Sequence, residues 1–204
     1  MTIRILRRMS LVLGGLMVAL TSGCGLSDAH MPMPSQLSPK PTPTSSAPRP
    51  PEKYPMAGVS CSKVTSGIQG LPPLLEQDQT ETTLEVHVGC PFLERGGDEK
   101  LVVFSIRVMA PLDQVTGVLP GAKRAQEEFD RVQVAGDGRT GLSLGTASRW
   151  GEPTLEGGCV LYILDDNALF HVAYGPGSAV IAEERCRTIV RDYAEKFYSA
   201  VQAR

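Results

Sequence analysis

Two strings in this chain have the residue types and spacing of catalytic or cofactor-binding motifs. Gly141-Leu142-Ser143-Leu144-Gly145 matches the nucleophile-elbow pattern of acyl transfer, and Asp165 or Asp166 and then His171 follow in hydrolase order. An elbow needs a buried strand before the serine and a helix after it. Thr146 to Pro153 cannot sustain that helix, and the acid and histidine would lie a few residues apart on one hairpin. The expectation is a glycine-bounded turn with Ser143 as a surface hydroxyl; a small esterase using Ser143 is the competing reading. Gly136-Asp137-Gly138-Arg139-Thr140-Gly141 has the spacing of a dinucleotide fingerprint, but no helix follows to offer its N-terminus to a pyrophosphate, so it also reads as a turn. His171, on an apolar strand, reads as a satisfied core residue. No catalytic residue and no cofactor is expected.

The cysteines carry more. Arg4, Arg7 and Arg8 precede a largely apolar run from Met9 to Leu20, after which Thr21, Ser22 and Gly23 lead into Cys24. This is the layout of a secretory signal, with an apolar run too short for a membrane-spanning helix, which needs roughly 20 residues. Leu20-Thr21-Ser22-Gly23-Cys24 resembles the bacterial lipobox, in which the cysteine thiol is alkylated by a diacylglycerol and the chain is cut just before it. Thr21 stands where that motif prefers leucine. The Arg7-Arg8 pair admits twin-arginine export, although the Phe-Leu expected after it is absent. Cys61, Cys90, Cys159 and Cys186 remain, an even number that in an exported domain reads as two disulfides. Three pairings are open; Cys61–Cys90 with Cys159–Cys186 is favoured because each closes a short loop. Zinc is not expected, since no pair has CxxC spacing and no histidine lies near a cysteine pair.

Composition fixes the organisation around these residues. The chain has 204 residues, 22 acidic and 20 basic, with five Phe, five Tyr and one Trp. That balance offers neither the basic surface nor the stacking aromatics of a nucleic-acid binder. Loss of residues 1–23 removes three arginines and no acid, leaving 17 basic against 22 acidic side chains, a net charge of −5. From Met31 to Pro55 there are nine prolines and six serines or threonines in 25 residues, a composition that buries no apolar area and favours extended geometry. The organisation is therefore a signal over 1–23, a Pro/Ser/Thr-rich tether over 24–55, and one domain over 56–204, long enough for a single core.

Within that domain, Leu84, Val86 and Val88 alternate with Glu85 and a solvated His87, and Val102, Phe104, Ile106 and Val108 continue the pattern in a second run. Arg95-Gly96-Gly97-Asp98 supplies the turn of this first hairpin. Val160–Leu164 and Ala168–Tyr174 flank Asp165-Asp166-Asn167 as a second, more buried hairpin. Cys186, Val190, Tyr193, Phe197 and Val201 recur at three- and four-residue spacing, predicting a helix from Ala179 to about Ala203 with Ser178 as its cap. Shorter helices are expected within 62–76, broken by Pro72-Pro73, and near 111–118 and 122–129. The fold class is α+β: an antiparallel sheet of about five strands packed by a long C-terminal helix, with shorter N-terminal helices and two disulfides.

Lipobox, tether and the placement of four cysteines together resemble the actinobacterial cell-envelope lipoproteins grouped as a family of unknown function. Cys61-Ser62-Lys63-Val64-Thr65 resembles the family's first short helix, and Leu144-Gly145-Thr146-Ala147-Ser148-Arg149-Trp150 its Gly-rich turn before an aromatic. Gly158-Cys159-Val160 and Arg185-Cys186-Arg187 resemble its later strand and cysteine-bearing helix. Cys90-Pro91-Phe92 departs from it, for the family tends to place tryptophan two residues after the second cysteine. The resemblance supplies no catalytic residue. It implies a lipoprotein on the extracytoplasmic face of the cell membrane, binding or regulating something there, with the membrane and a protein or small apolar ligand as partners. An envelope hydrolase and a structural spacer are the alternatives.

Overall fold

The computed structural model describes residues 51–95, 100–115, 117–153 and 157–202. The chain divides into two units, 1–47 and 48–204, and every described residue belongs to the second. The signal segment, Cys24, most of the tether and the Gly96-Gly97-Asp98 turn lie outside the described residues.

Six strands form one antiparallel sheet in the order β1-β2-β3-β8-β7-β6. They are β1 (Asp78–Glu81), β2 (Glu85–Glu94), β3 (Lys100–Met109), β6 (Ala147–Gly151), β7 (Cys159–Asp165) and β8 (Ala168–Gly175). The two expected hairpins, β2–β3 and β7–β8, meet along β3 and β8, where Phe104 pairs with Val172 and Ile106 with Phe170. Side chains alternate between faces along a strand. One face therefore collects Val86, Val88, Cys90, Val102, Phe104, Ile106, Leu161, Ile163, Phe170 and Val172, all buried in one cluster.

The helix α3 (Glu183–Gln202) covers that face, burying Cys186, Val190, Ala194 and Phe197. Those four positions lie within one apolar stripe at helical spacing, and the Phe197 ring stacks on Phe104 at 4.4 Å. The helix starts later than its periodicity predicts: the first turn closes with the Cys186 amide donating to Ala182, so Ser178 lies outside it and is not its cap. Val180 in the approach is fully exposed.

Both disulfides have the favoured pairing. Cys61 joins Cys90 with Cα atoms 5.5 Å apart, and Cys159 joins Cys186 at 6.0 Å. The first fastens α1 (Cys61–Val64) to β2, and the second fastens α3 to β7. By loop-closure entropy each contributes about 3–4 kcal/mol.

Three local expectations are corrected. The helix expected within 62–76 is confined to α1, because Gly67 and Gly70 adopt positive φ of 90° and 78° before the prolines are reached. Residues 111–118 form no helix but a small hairpin, β4 (Leu112–Gln114) with β5 (Gly117–Leu119), where Gly117 has φ 133°. Leu84 does not share the face of Val86: the Thr82 hydroxyl accepts from the Leu84 and Glu85 amides and turns the chain between β1 and β2. The helix expected near 122–129 is present as α2 (Gly121–Arg131). It approaches the Met109 carbonyl so closely that a Cβ on Gly121 would overlap that oxygen.

Residues 51–55, given to the tether on composition, include part of the folded unit. Tyr54 is buried, its amide donating to Asn167 Oδ1 at 3.0 Å and its carbonyl accepting from Asn167 Nδ2 at 2.9 Å. Asn167 thereby holds the segment as a neighbouring strand would. Beside it the Asp165 carboxylate accepts from Tyr54, from Lys53 at 2.5 Å, from Tyr198 at 2.7 Å and from Gln202 at 3.0 Å. Burial would raise this carboxyl, but the hydrogen bonds from Lys53, Tyr54 and Tyr198 outweigh it and hold it below the ordinary range. Burial and then the Asp165 carboxylate push the Tyr198 phenol up to about 12, so it stays a donor.

Candidate functional site

The second face of the sheet is only partly covered. Helix α2 lays Ala125 and Phe129 against Met109 and Leu164, with Leu169 and Tyr162 at the edge of that cluster. Beyond the C-terminal end of α2 the strand register brings Arg149, Tyr162, His171 and Ser105 into one row across β6, β7, β8 and β3. In the adjoining row Arg107 pairs with His87 of β2. Gly89 faces Ser105 from β2 and adds no side chain to the row.

These residues line a groove of about 340 Å³, walled by Glu128, Arg131 and Val132 at the end of α2. The Ser105 hydroxyl lies 3.3 Å from His171 Nδ1, and the Tyr162 and His171 rings face each other at 5.0 Å. Arg131 pairs with Glu128 at 2.6 Å, while Arg149 stacks over Phe129 at 3.8 Å and reaches Asp130 at 3.3 Å.

Electrostatics keep the floor of the groove neutral. Burial, and then the neighbouring His87, depress His171 to about 4. Burial, and then the Arg107 guanidinium, also lower His87. Burial raises the Tyr162 phenol. Near neutral pH the floor therefore presents uncharged imidazoles and hydroxyls, and Arg107, Arg131 and Glu128 stand around it.

The elbow-like string does not assemble a triad. Ser143 is exposed on a coil whose neighbours Leu142 and Leu144 pack on the α3 side, and Gly141 and Gly145 flank it with φ of 67° and 64°. A Cβ at Gly145 would overlap the Leu164 carbonyl, so the turn is tightly seated on β7. Asp165 serves the Tyr54 network on the α3 side, and Asp166 accepts from the Lys53 amide at 2.7 Å. His171 faces the other side of the sheet. No helix follows Gly136–Gly141 either; β6 does. His87 is half-buried in the groove, not solvated, because β1 and β3 flank it on both sides. His171 belongs to the groove and not to the main core.

Ser105, Arg107, Arg131 and Tyr162 were not singled out in the sequence. The signal for two of them was present: if Val102, Phe104, Ile106 and Val108 face the core, Ser105 and Arg107 must face away. Which part of that second face a helix would leave open depends on where α2 docks, and no local pattern states that.

A smaller cavity of about 270 Å³ lies where residues 53–59 meet α1 and the end of α3, with Ile106 and Val201 inside and Lys53 and Lys63 among its walls. Another of about 330 Å³ adjoins Trp150, Ile181 and Arg187. Among the described residues, no group of three or more His, Cys, Asp or Glu could hold a metal ion. No helix among them is long and apolar enough to cross a membrane.

Fold and groove define a class: a small α+β domain with two disulfides, one sheet face sealed by a helix and the other holding an open groove of mixed polar and apolar lining. No family model, no curated protein and no solved structure matches the chain.

Proposed function

We propose that the protein is a non-enzymatic binding module of the cell envelope, held on the extracytoplasmic face of the membrane by a lipid on Cys24, with its ligand seated in the second-face groove. The observation that carries the binding half is the convergence of Ser105, Arg107, Tyr162 and His171 from three strands on one uncovered patch. Lipobox, tether and paired cysteines support the location. The groove sets the polar groups of Ser105, Arg107, Tyr162 and His171 beside the apolar Val132 and Leu169, so the ligand it fits has a polar group and an apolar body.

Binding is favoured over acyl transfer on chemical grounds. A general base works best with a pKa near the operating pH, and His171 lies at about 4. Its Nδ1 faces Ser105, but no acid orients the other nitrogen among the residues lining the groove other than Glu128, which Arg131 occupies. A fluorophosphonate probe tests this on the full chain. The expected result is no covalent label on wild type; a label lost in Ser105→Ala or in Ser143→Ala would make the protein a serine hydrolase and overturn the reading.

A further inference from the structure

The charges of the groove do not cancel. Glu128 is engaged by Arg131, and Asp130 by Arg149. Arg107 is half-buried, and among the described residues no carboxylate lies within ion-pair distance of it. Its partner across the β2–β3 pair is His87, which is neutral near pH 7 and so offers no compensation. A guanidinium partly withdrawn from water and bridged to no carboxylate is free to take the oxygens of a bound anion. The neutral donors and acceptors around it are Ser105, Tyr162 and His171.

We infer that the groove takes a small organic carboxylate, its two oxygens on the Arg107 guanidinium and its body against the Tyr162–His171 ring pair. The planar fork of arginine matches the two oxygens of a carboxylate. Among the lining residues Arg131 and Glu128 cancel and Arg107 is left over, while Asp78 and Glu85 act on His87 from outside the lining; the excess positive charge is therefore at most one, which a monoanion balances and a phosphate dianion exceeds. The Tyr162 and His171 rings, 5.0 Å apart at their centroids and tilted by 37°, and the Leu169 side chain beside them give an organic body apolar surface to lie against. This inference rests on the reading of the groove as the ligand site.

The test is a titration of the full chain followed by NMR of the His87 and His171 ring signals and of the backbone amides of β3 and β8. Sodium benzoate is the probe, with benzamide as its neutral isostere and inorganic phosphate as the competing anion, all at one ionic strength. Benzoate should shift the groove signals saturably, benzamide should not, and phosphate should bind more weakly. Arg107→Gln should weaken benzoate at least about tenfold, the effect of one charged hydrogen-bonded contact, and Arg107→Lys less than that. Unchanged shifts elsewhere in the spectrum confirm that each variant is folded. Equal shifts with benzoate and benzamide, tighter binding of phosphate, or benzoate binding that survives Arg107→Gln would overturn the carboxylate assignment while leaving the groove a ligand site. A groove that responds to none of the three probes would overturn both.

Discussion

Replacing Asn167 by alanine should lower the stability of the domain by about 3–5 kcal/mol, because two or three buried backbone groups would each lose a partner at about 1–3 kcal/mol apiece. Asn167 is wholly buried; its Nδ2 donates to the carbonyls of Tyr54 and Met109 at 2.9 and 3.2 Å, and its Oδ1 accepts from the Tyr54 amide. An alanine fills none of these roles. The loss should be local before it is global: the Tyr54 amide should lose its protection from hydrogen exchange, while amides of β3 and β8 keep theirs. Denaturant unfolding read by Trp150 fluorescence gives the total. A destabilisation under about 1 kcal/mol with Tyr54 still protected would show that Asn167 does not hold the segment.

Acid should act on the groove face through His171. An imidazole has an ordinary value of 6.5, and burial with the nearby His87 depresses it to about 4 in the fold. A depressed histidine favours the folded state fully above 6.5, where neither state is protonated. Between 6.5 and 4 the unfolded chain takes up a proton that the folded one resists, so stability falls with falling pH; below 4 the loss levels off. The full loss is about 3 kcal/mol, of which about 2–3 should be reached by pH 4.5. His87 shifts in the same direction, whereas Asp165, held below the ordinary carboxylate range, contributes only at lower pH, and Glu52, raised by burial, opposes the trend. Comparing wild type with His171→Gln at pH 7 and 4.5 isolates the term, since glutamine can still bond Ser105. Parallel losses in both proteins, or a His171 ring that titrates near 6.5, would contradict the assignment.

The parts of the fold that were legible in the chain are those whose burial pattern is written locally. Val102 to Val108 alternate, and Cys186, Val190 and Phe197 repeat at helical spacing, because each segment buries one face against something large. Strand β1 had no such signature: Asp78, Gln79, Thr80 and Glu81 are all exposed, and the segment is a strand only because β2 offers it an edge. Lys53 and Tyr54 were hidden for the opposite reason. They sit among prolines, and what makes them part of the domain is Asp165 and Asn167, more than a hundred residues away. The disulfides were legible because short loops close cheaply. The groove was half legible: alternation assigns Ser105, Arg107 and His171 to the second face, but only the docking of α2 on Leu164 and Met109 decides that they stay uncovered.

The claim that this domain works at a membrane surface rests on Cys24, and the most direct measurement is metabolic labelling with palmitate, followed by phase partitioning of wild type and Cys24→Ala. The account predicts that wild type carries the label and partitions with detergent, and that Cys24→Ala carries none and is released or misprocessed. Wild type without label, partitioning into the aqueous phase, would contradict it.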